Sequence, residues 1–158
     1  MLCNQILSLP EYQQTDALMA YYPLFGEPDL IPVLEDALAA GKRLFLPQTD
    51  AQMQIHPRQV THLSQLQSGA FSVMEPPESF PESMDFPLLL MPAVAYDRRG
   101  NRLGHGAGCY DRFLAHYTGR TIGVCFSIFL LDEVPCALHD RTADLICTEH
   151  GIVEPTDR

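Results

Sequence analysis

The stretch LLLMPAVAYDRRGNRLGHGAGCYDRFL, residues 88–114, contains the pattern that decides the fold. It opens with the apolar run Leu88–Met91, continues after Pro92 through a basic turn and three alternating glycines, and leads into a helical pattern at 110–116. A run that is apolar without alternation is typical of a strand covered on both faces. The stretch therefore predicts a buried strand, a glycine-rich loop and a helix in direct succession.

Two further runs, at 122–126 and 145–147, have the same continuous apolar character and favour a central parallel sheet. Helical patterns at 10–17 and 29–40 precede these strands along the chain. Strands combined with helices in this way predict the α/β class. We expect a three-layer sandwich with a mainly parallel central sheet, Rossmann-like in architecture.

The pattern at 29–40 has the marks of a complete helix. Asp29 is a suitable N-cap, a proline follows in the first turn, and Gly41 stands where the helix should stop. Candidate strands at 17–22 and 43–46 flank this helix, so the three elements predict a right-handed βαβ unit.

The segment 49–85 is polar and rich in Pro, Gln and Ser, with short strand candidates only at 52–56 and 71–73. It holds too few apolar residues for a core of its own, so we expect an irregular excursion over the sheet. A single domain over 1–158 is the corresponding prediction.

Composition excludes several classes of protein. Ten basic and twenty acidic residues give a formal charge of -10, which disfavours a nucleic-acid partner. The only basic concentration, at 97–102, is open to a second interpretation as a solvated turn. No apolar run approaches the roughly 20 residues of a membrane span, and residues 1–9 lack the charged start of a secretory signal.

The cysteines indicate a reducing compartment. The chain has five, an odd number, and none forms a CxxC pair. Free thiols in the cytoplasm are the simplest interpretation. The oligomeric state is open between a monomer and a weak dimer.

The glycines at 104, 106 and 108 carry the strongest chemical signal. Alternating glycines let backbone N–H groups converge at a helix start, which suits a phosphate, and Arg102 supplies a fixed charge. The spacing matches neither GxGxxG nor a loop ending in GK[ST], so a purely structural loop is an open alternative. Asp111 is suited to Mg²⁺ beside bound phosphates, or to a charge–dipole role in the first helical turn.

Pro92 to Leu114 resembles, nearly throughout, the signature of the 5-formyltetrahydrofolate cyclo-ligases, also called 5,10-methenyltetrahydrofolate synthetases. The resemblance covers about 21–151. Other segments that agree with the family are Tyr21, Tyr22 and Pro23 with Glu27, Gly41 and Lys42 with Leu46 and Pro47, Glu75 and Pro76, and, in the tail, 122–124, 131–135, His139, Asp140, 144–146, Thr148 and Glu149.

The resemblance implies an ATP- and Mg²⁺-dependent conversion of 5-formyltetrahydrofolate to 5,10-methenyltetrahydrofolate, with release of ADP and phosphate. It assigns ATP binding to Arg102, Leu103, Gly104, His105, Gly106, Ala107, Gly108, Cys109 and Tyr110. It assigns catalysis to His105, Arg102 and Tyr110, and Mg²⁺ binding to Asp111 and Asp140. For the folate it indicates Tyr22, Glu27, His105 and Cys109, with Tyr21 beside them.

Some positions depart from the family pattern. A first helix with a Lys and an Arg four residues apart is not matched, because no basic residue precedes Lys42, as if the chain began one helix late. His105 replaces a common arginine, Cys109 an aromatic residue, and Phe129 a glutamine. A family member that binds folate or nucleotide without turnover is therefore an alternative function, and a structural subunit is a third.

Simpler interpretations remain open for individual residues. Glu27 could be a solvated carboxylate before a helix, and Tyr21 and Tyr22 the core and rim of a strand. Cys109, at a helix start, is a candidate nucleophile by position, although no histidine partner can be assigned to it.

Overall fold

The computed structural model describes residues 2–69, 72–106, 108–137 and 140–156. The helices are α1 (Leu2–Leu7), α2 (Pro10–Gln14), α3 (Ile31–Ala39) and α4 (Cys109–Leu114). The strands are β1 (Ala17–Met19), β2 (Arg43–Thr49), β3 (Ile55–Val60), β4 (Gln67–Ser68), β5 (Met74–Glu75), β6 (Leu88–Met91), β7 (Ala95–Asp97), β8 (Arg102–Leu103), β9 (Arg120–Val124), β10 (Leu130–Leu131), β11 (Leu145–Thr148) and β12 (Gly151–Val153). Short 3-10 turns lie at Leu63–Gln65 and Ser127–Phe129.

The main sheet has seven strands in the order β12-β11-β9-β6-β1-β2-β3. The strands from β11 to β2 are parallel, and each edge strand pairs antiparallel with its neighbour. The prediction of a mainly parallel central sheet is confirmed.

Alternate side chains of the inner strands pack on opposite faces of this sheet. Leu18 and Leu88 belong to the core shared with α1 and α3. Met19 and Leu89 belong to the core on the other face, which Phe113 of α4 completes. The small sheet β10-β7-β8 lies in this second layer, where Tyr96 of β7 is fully buried. The three-layer prediction is confirmed, and both layers follow from the period-two alternation of a strand.

The helix predicted at 29–40 is present with a different start. It begins at Ile31 after Leu30, so the prediction that Asp29 is the N-cap is wrong. The Asp29 carboxylate instead accepts a hydrogen bond from the Ile31 amide at 3.0 Å, a local turn that keeps Asp29 outside the helix. Gly41 has a φ of +76° after the last turn, which confirms the predicted stop.

Other predicted boundaries shift by a few residues. The pattern at 10–17 ends as a helix at Gln14, because Thr15 donates its hydroxyl to the Ala17 carbonyl at 2.6 Å and the chain turns into β1. The helix expected at 110–116 is α4, and the strand expected at 122–126 is β9.

The interpretation of 49–85 as an irregular excursion is wrong. Six of its residues form β3, which pairs antiparallel with β2 from Leu44↔Val60 to Thr49↔Ile55. The candidate at 52–56 lies mostly in the turn before β3, and Phe71 of the candidate at 71–73 lies outside the described residues. An edge strand is partly solvated, so β3 carries polar residues that conceal it in the sequence.

The segment after β5 covers the outer side of β3. Gln59 donates its amide to the Pro81 carbonyl at 2.9 Å, and Ser83 donates its amide to the Pro57 carbonyl at 3.1 Å. Arg58 forms an isolated antiparallel bridge with Glu82. The edge of the sheet is therefore partly occupied by the protein's own backbone.

Among the helices of the described ranges, none has the length and apolarity required to span a bilayer.

Candidate functional site

The chain changes direction across the sheet between β1 and β6. From β1 it moves outward to β2, and it then returns to the other side of β1 as β6. In open parallel sheets, ligands bind at such a point, beside the carboxyl ends of the strands. Tyr21 and Pro92 follow the two strands there, and both line a cavity of about 480 Å³.

The glycine-rich loop and the start of α4 form one wall of this cavity. Gly106 and Gly108 have φ values of +96° and +71°, in the left-handed region that other residues rarely adopt. Gly108 is the N-cap of α4. The prediction of a glycine loop that leads directly into a helix is confirmed.

Arg102 supplies positive charge to the cavity wall. Its Nε donates a hydrogen bond to the Pro92 carbonyl at 2.8 Å, and its guanidinium carbon lies 4.7 Å from the centre of the Tyr110 ring. A backbone anchor and a cation–π contact together restrict the arginine side chain. Gly104 leaves room for it, because a Cβ there would lie 2.7 Å from Arg102 Nη1.

Tyr110 has a buried hydroxyl for which the described residues provide no hydrogen-bond partner. Burial raises the pKa of this phenol, so the hydroxyl stays protonated at neutral pH. An unpaired buried hydroxyl is costly to the folded protein. Because Tyr110 lines the cavity, a ligand with an acceptor oxygen would satisfy it.

The turn that contains Glu27 forms another wall. Glu27 Oε1 accepts a hydrogen bond from the Leu24 amide at 2.7 Å, and the Tyr21 hydroxyl donates to the Pro28 carbonyl at 3.3 Å. Burial raises the pKa of Glu27, while the hydrogen bond from the Leu24 N–H and electrostatic interaction with His105 and Arg102 act against that rise. The carboxyl group is therefore close enough to His105 and Arg102 to interact with them electrostatically.

Asp111 and Asp140 both line the cavity. Asp140 Oδ2 also accepts a hydrogen bond from the Ala137 amide at 2.9 Å. In the described part of the chain, no group of three or more His, Cys, Asp or Glu side chains is arranged to hold a metal ion. Mg²⁺ in phosphate-transfer sites commonly uses one or two carboxylates together with substrate phosphates, and Asp111 and Asp140 are carboxylates on the wall of this cavity.

Asp97 does not line the cavity, but its hydrogen bonds position segments that do. It is fully buried, and it accepts hydrogen bonds from the Arg99, Asn101 and Val134 amides and from Asn101 Nδ2, at 3.0 to 3.2 Å. It thereby ties the turn that precedes Arg102 to the segment that leads to Asp140.

Comparison with known proteins agrees with this geometry. The model of the 5-formyltetrahydrofolate cyclo-ligase family matches residues 1–149. The chain belongs to the 5-formyltetrahydrofolate cyclo-ligase family. The match begins earlier than the resemblance visible in the motifs, which started at about residue 21.

Individual cyclo-ligases show the same relationship. The chain is 38% identical over 144 residues to a 5-formyltetrahydrofolate cyclo-ligase of Mycolicibacterium smegmatis, covering 85% of this chain and 74% of the relative. It is 27% identical over 165 residues to that of Escherichia coli, covering 96% and 87%.

Solved structures of cyclo-ligases are similar as well. The 5,10-methenyltetrahydrofolate synthetase of Aquifex aeolicus superposes with a TM-score of 0.85 at 31% identity, covering 99% of this chain and 80% of that one. The synthetase of Mycoplasma pneumoniae has a TM-score of 0.69 at 19% identity, covering 92% and 83%, and supports the fold alone.

The predicted site residues of this cyclo-ligase chain come together, although their roles remain predictions. Ala107 lies outside the described residues. The remaining predicted residues all line the cavity: Tyr22, Glu27, Arg102, Leu103, Gly104, His105, Gly106, Gly108, Cys109, Tyr110, Asp111 and Asp140. Tyr21 is buried and Tyr22 half-buried. No described histidine or carboxylate hydrogen-bonds the Cys109 sulfur, so thiol catalysis gains no support.

Sequence reasoning missed the cavity residues that come from β2, β3 and β5. Thr49, Ile55 and Glu75 line the cavity, and Glu75 Oε2 accepts a hydrogen bond from the Thr49 amide at 3.0 Å. The pair Glu75 and Pro76 was a family match without an assigned role. Ile55 fell within the strand candidate at 52–56, but no feature of the sequence pointed to a role in the site.

Proposed function

We propose that this chain catalyses the ATP-dependent conversion of 5-formyltetrahydrofolate to 5,10-methenyltetrahydrofolate, with release of ADP and phosphate. The observation that carries the proposal is that the glycine loop and the turn containing Glu27 line the same cavity. The glycine loop with Arg102 suits a nucleotide, and the wall formed by Tyr22 and Glu27 suits a flat, polar ring. Membership of the cyclo-ligase family supports the same reaction.

The reaction needs two displacements. The formyl oxygen attacks the terminal phosphorus of ATP, the new O–P bond forms, and the bond to the ADP oxygen breaks. The second folate nitrogen then attacks the activated carbon, the C–O bond breaks, phosphate leaves, and that nitrogen loses its proton. Charge held against the moving phosphoryl group is the main contribution that a protein can make to such a transfer.

Arg102 and His105 are the residues we propose to hold that charge. Arg102 is fixed by the Pro92 carbonyl and the Tyr110 ring, so little reorganisation is needed during the reaction. The Tyr110 hydroxyl would donate to an oxygen of the reacting groups. Leu103, Cys109 and Ala107 complete the nucleotide loop in this proposal.

Asp111 and Asp140 would hold Mg²⁺, which neutralises phosphate charge when it is bound. Within the described residues these two carboxylates belong to no group of three or more metal-ligating side chains, which suits an ion that arrives with the nucleotide.

On the folate side, we propose that the Glu27 carboxyl accepts hydrogen bonds from the amino group and ring N–H of the pterin. One of its oxygens already accepts from Leu24, which orients the other. Tyr22 and Cys109 would flank the ring.

The absorbance of the methenyl product tests the function directly. Arg102→Met should lower kcat/KM by about 100-fold or more, because it removes fixed charge from the transition state. Arg120→Met is the matched control: Arg120 begins β9, pairs with Glu11 at 3.3 Å and does not line the cavity. Absence of product with the wild-type chain, MgATP and 5-formyltetrahydrofolate would contradict the proposal.

The alternative of binding without turnover predicts ADP and folate binding in calorimetry and no product. The comparisons give it no support, because the relatives reported above are named for the reaction. We further propose that residues 1–158 act as one domain, since both cores share one sheet, and that the protein works in the cytoplasm, where its free thiols would persist.

A further inference from the structure

The cavity is small for two substrates. At about 480 Å³ it has the volume of a site for one drug-sized ligand. The proposed reaction brings ATP and a folate into direct contact, so their reacting ends must lie inside together. The distant end of a folate, its p-aminobenzoyl ring and glutamate, then extends past the rim.

A fully exposed aromatic residue is a direct chain neighbour of the cavity lining. Leu24 and Glu27 line the cavity, and Phe25 between them is exposed to 108% of its reference area. Burial of a phenylalanine normally stabilises a folded protein, and Phe25 contributes nothing of this kind to folding.

The turn that carries Phe25 is well defined. Glu27 donates its amide to the Leu24 carbonyl at 3.0 Å, and Leu24 donates its amide to Glu27 Oε1 at 2.7 Å. Gly26 has a φ of +90°, which permits the tight reversal. The two bonds fix the ends of the turn and therefore the backbone position of Phe25.

We propose that Phe25 is a specificity-determining residue that stacks on the p-aminobenzoyl ring of the folate where it leaves the cavity. This inference rests on the proposed function. The ring is flat and apolar and matches a phenyl side chain, whereas the glutamate carboxylates are better left in water. Phe25 is a chain neighbour of the wall that contains Tyr22 and Glu27. The carboxyl group of that wall disfavours phosphates, which favours the folate as the partner of the phenyl ring.

A substrate and a truncated ligand separate this contact from the rest of folate binding. The substrate is 5-formyltetrahydrofolate, and the ligand is 5-formyl-6-methyltetrahydropterin, which lacks the p-aminobenzoylglutamate and with it the attacking nitrogen, so it is assayed as a competitive inhibitor. Phe25→Ala should raise KM for the full substrate about 3- to 10-fold, with a smaller effect on kcat. The inhibition constant of the truncated ligand should not change, and Phe25→Tyr should restore the wild-type KM.

Ile128→Ala is the matched control. Ile128 is 75% exposed, and neither it nor its neighbours Ser127 and Phe129 line the cavity. Its KM for 5-formyltetrahydrofolate and its inhibition constant for the truncated ligand should equal those of the wild type. Thermal midpoints of Phe25→Ala and Ile128→Ala should also match the wild type, because both side chains are exposed.

Several outcomes would overturn the inference. Equal KM values for Phe25→Ala and wild type with the full substrate would remove the contact and leave the proposed function intact. A raised KM for ATP alone would assign the ring to adenine instead. If the wild-type chain gives no product, calorimetry with 5-formyltetrahydrofolate decides: weaker binding by Phe25→Ala supports the contact, equal binding overturns it, and no binding by wild type overturns both proposals.

Discussion

Asp97 shows how one buried carboxylate organises the site without lining it. Burial alone would raise the pKa of Asp97, but the donors on Asn101, Val134 and Arg99 lower it, and the net direction is downward. Because the pKa is lower in the folded protein, the ionised Asp97 stabilises the fold at pH values above about 3.9, the pKa of an aspartate in the unfolded chain. This contribution is lost as the pH falls through the folded value.

Asp97→Asn should therefore lower the free energy of unfolding by about 1–3 kcal/mol at pH 7, because an amide cannot accept all of these hydrogen bonds. The difference between variant and wild type should shrink toward pH 3. Urea unfolding at several pH values measures both effects. Asp16→Asn is the control, since that side chain is 86% exposed. A difference that does not change with pH would show that the ionised carboxylate is not the source.

His105 is one of the positions where the sequence departs in charge from the family pattern described above. Histidine changes its charge between about pH 5 and 8, whereas arginine keeps it. If His105 faces the phosphates, His105→Arg should raise nucleotide affinity and turnover, because arginine carries a permanent charge. Calorimetry with ADP and the absorbance of the methenyl product measure the two effects. A variant no better than wild type would place His105 away from the phosphates.

At the scale of elements, the turn between β2 and β3 is held by an ionic clamp. His56 lies between Asp50 at 2.7 Å and Glu82 at 2.9 Å, and Arg58 approaches Glu82 at 3.8 Å. Hydrogen bonds to Asp50 first, and to Glu82, raise the pKa of His56. Arg112 of α4 donates to the Met53 carbonyl at 2.6 Å, which connects this turn to the glycine loop.

Because the pKa of His56 is raised in the folded protein, the protonated histidine stabilises the fold at pH values below about 6.5, the pKa of a histidine in the unfolded chain. This stabilisation is lost as the pH rises through the pKa of the folded state. Wild type should therefore lose thermal stability relative to His56→Asn between pH 6 and 9. Calorimetric melting at fixed ionic strength detects the change. His116→Gln, an exposed substitution on the same chain, should show no such trend. A parallel trend in both variants would exclude the clamp.

The elements that could be predicted from the sequence are those whose residue pattern is typical of a single kind of structure. The succession of β6, glycine loop and α4 was predictable because continuous apolar residues and glycines each have a single structural use there. β3 was not, since a solvated edge strand with Pro57 and Arg58 lacks apolar alternation. Asp97 was hidden for another reason: its partners are backbone amides, including that of Val134, and only the folded chain brings them together.

At the scale of the whole molecule, metal and nucleotide should stabilise the fold together. At 100 times its dissociation constant, a ligand that binds only the native state adds about 2.7 kcal/mol, which corresponds to about 5–10 °C in a chain of this size. MgADP should therefore raise the melting temperature, and EDTA should reduce the gain.

Asp111→Asn tests whether a carboxylate on the cavity wall carries that gain. The substitution should change the stability of the free protein by at most about 1 kcal/mol and abolish the Mg²⁺-dependent part of the shift. Asp132→Asn, at an exposed position, is the control. The same Mg²⁺ dependence in both variants would argue against a metal role for Asp111.

The cover over β3 also bears on self-association. An open sheet edge is a template on which a second chain can add a strand and begin aggregation. Here the backbone groups at Pro57 and Gln59 are already occupied by 81–83. Detachment of 81–83 would therefore be enough to expose a template while the main sheet stays intact. Resistance to aggregation on this side thus depends on a short loop rather than on the global stability of the core.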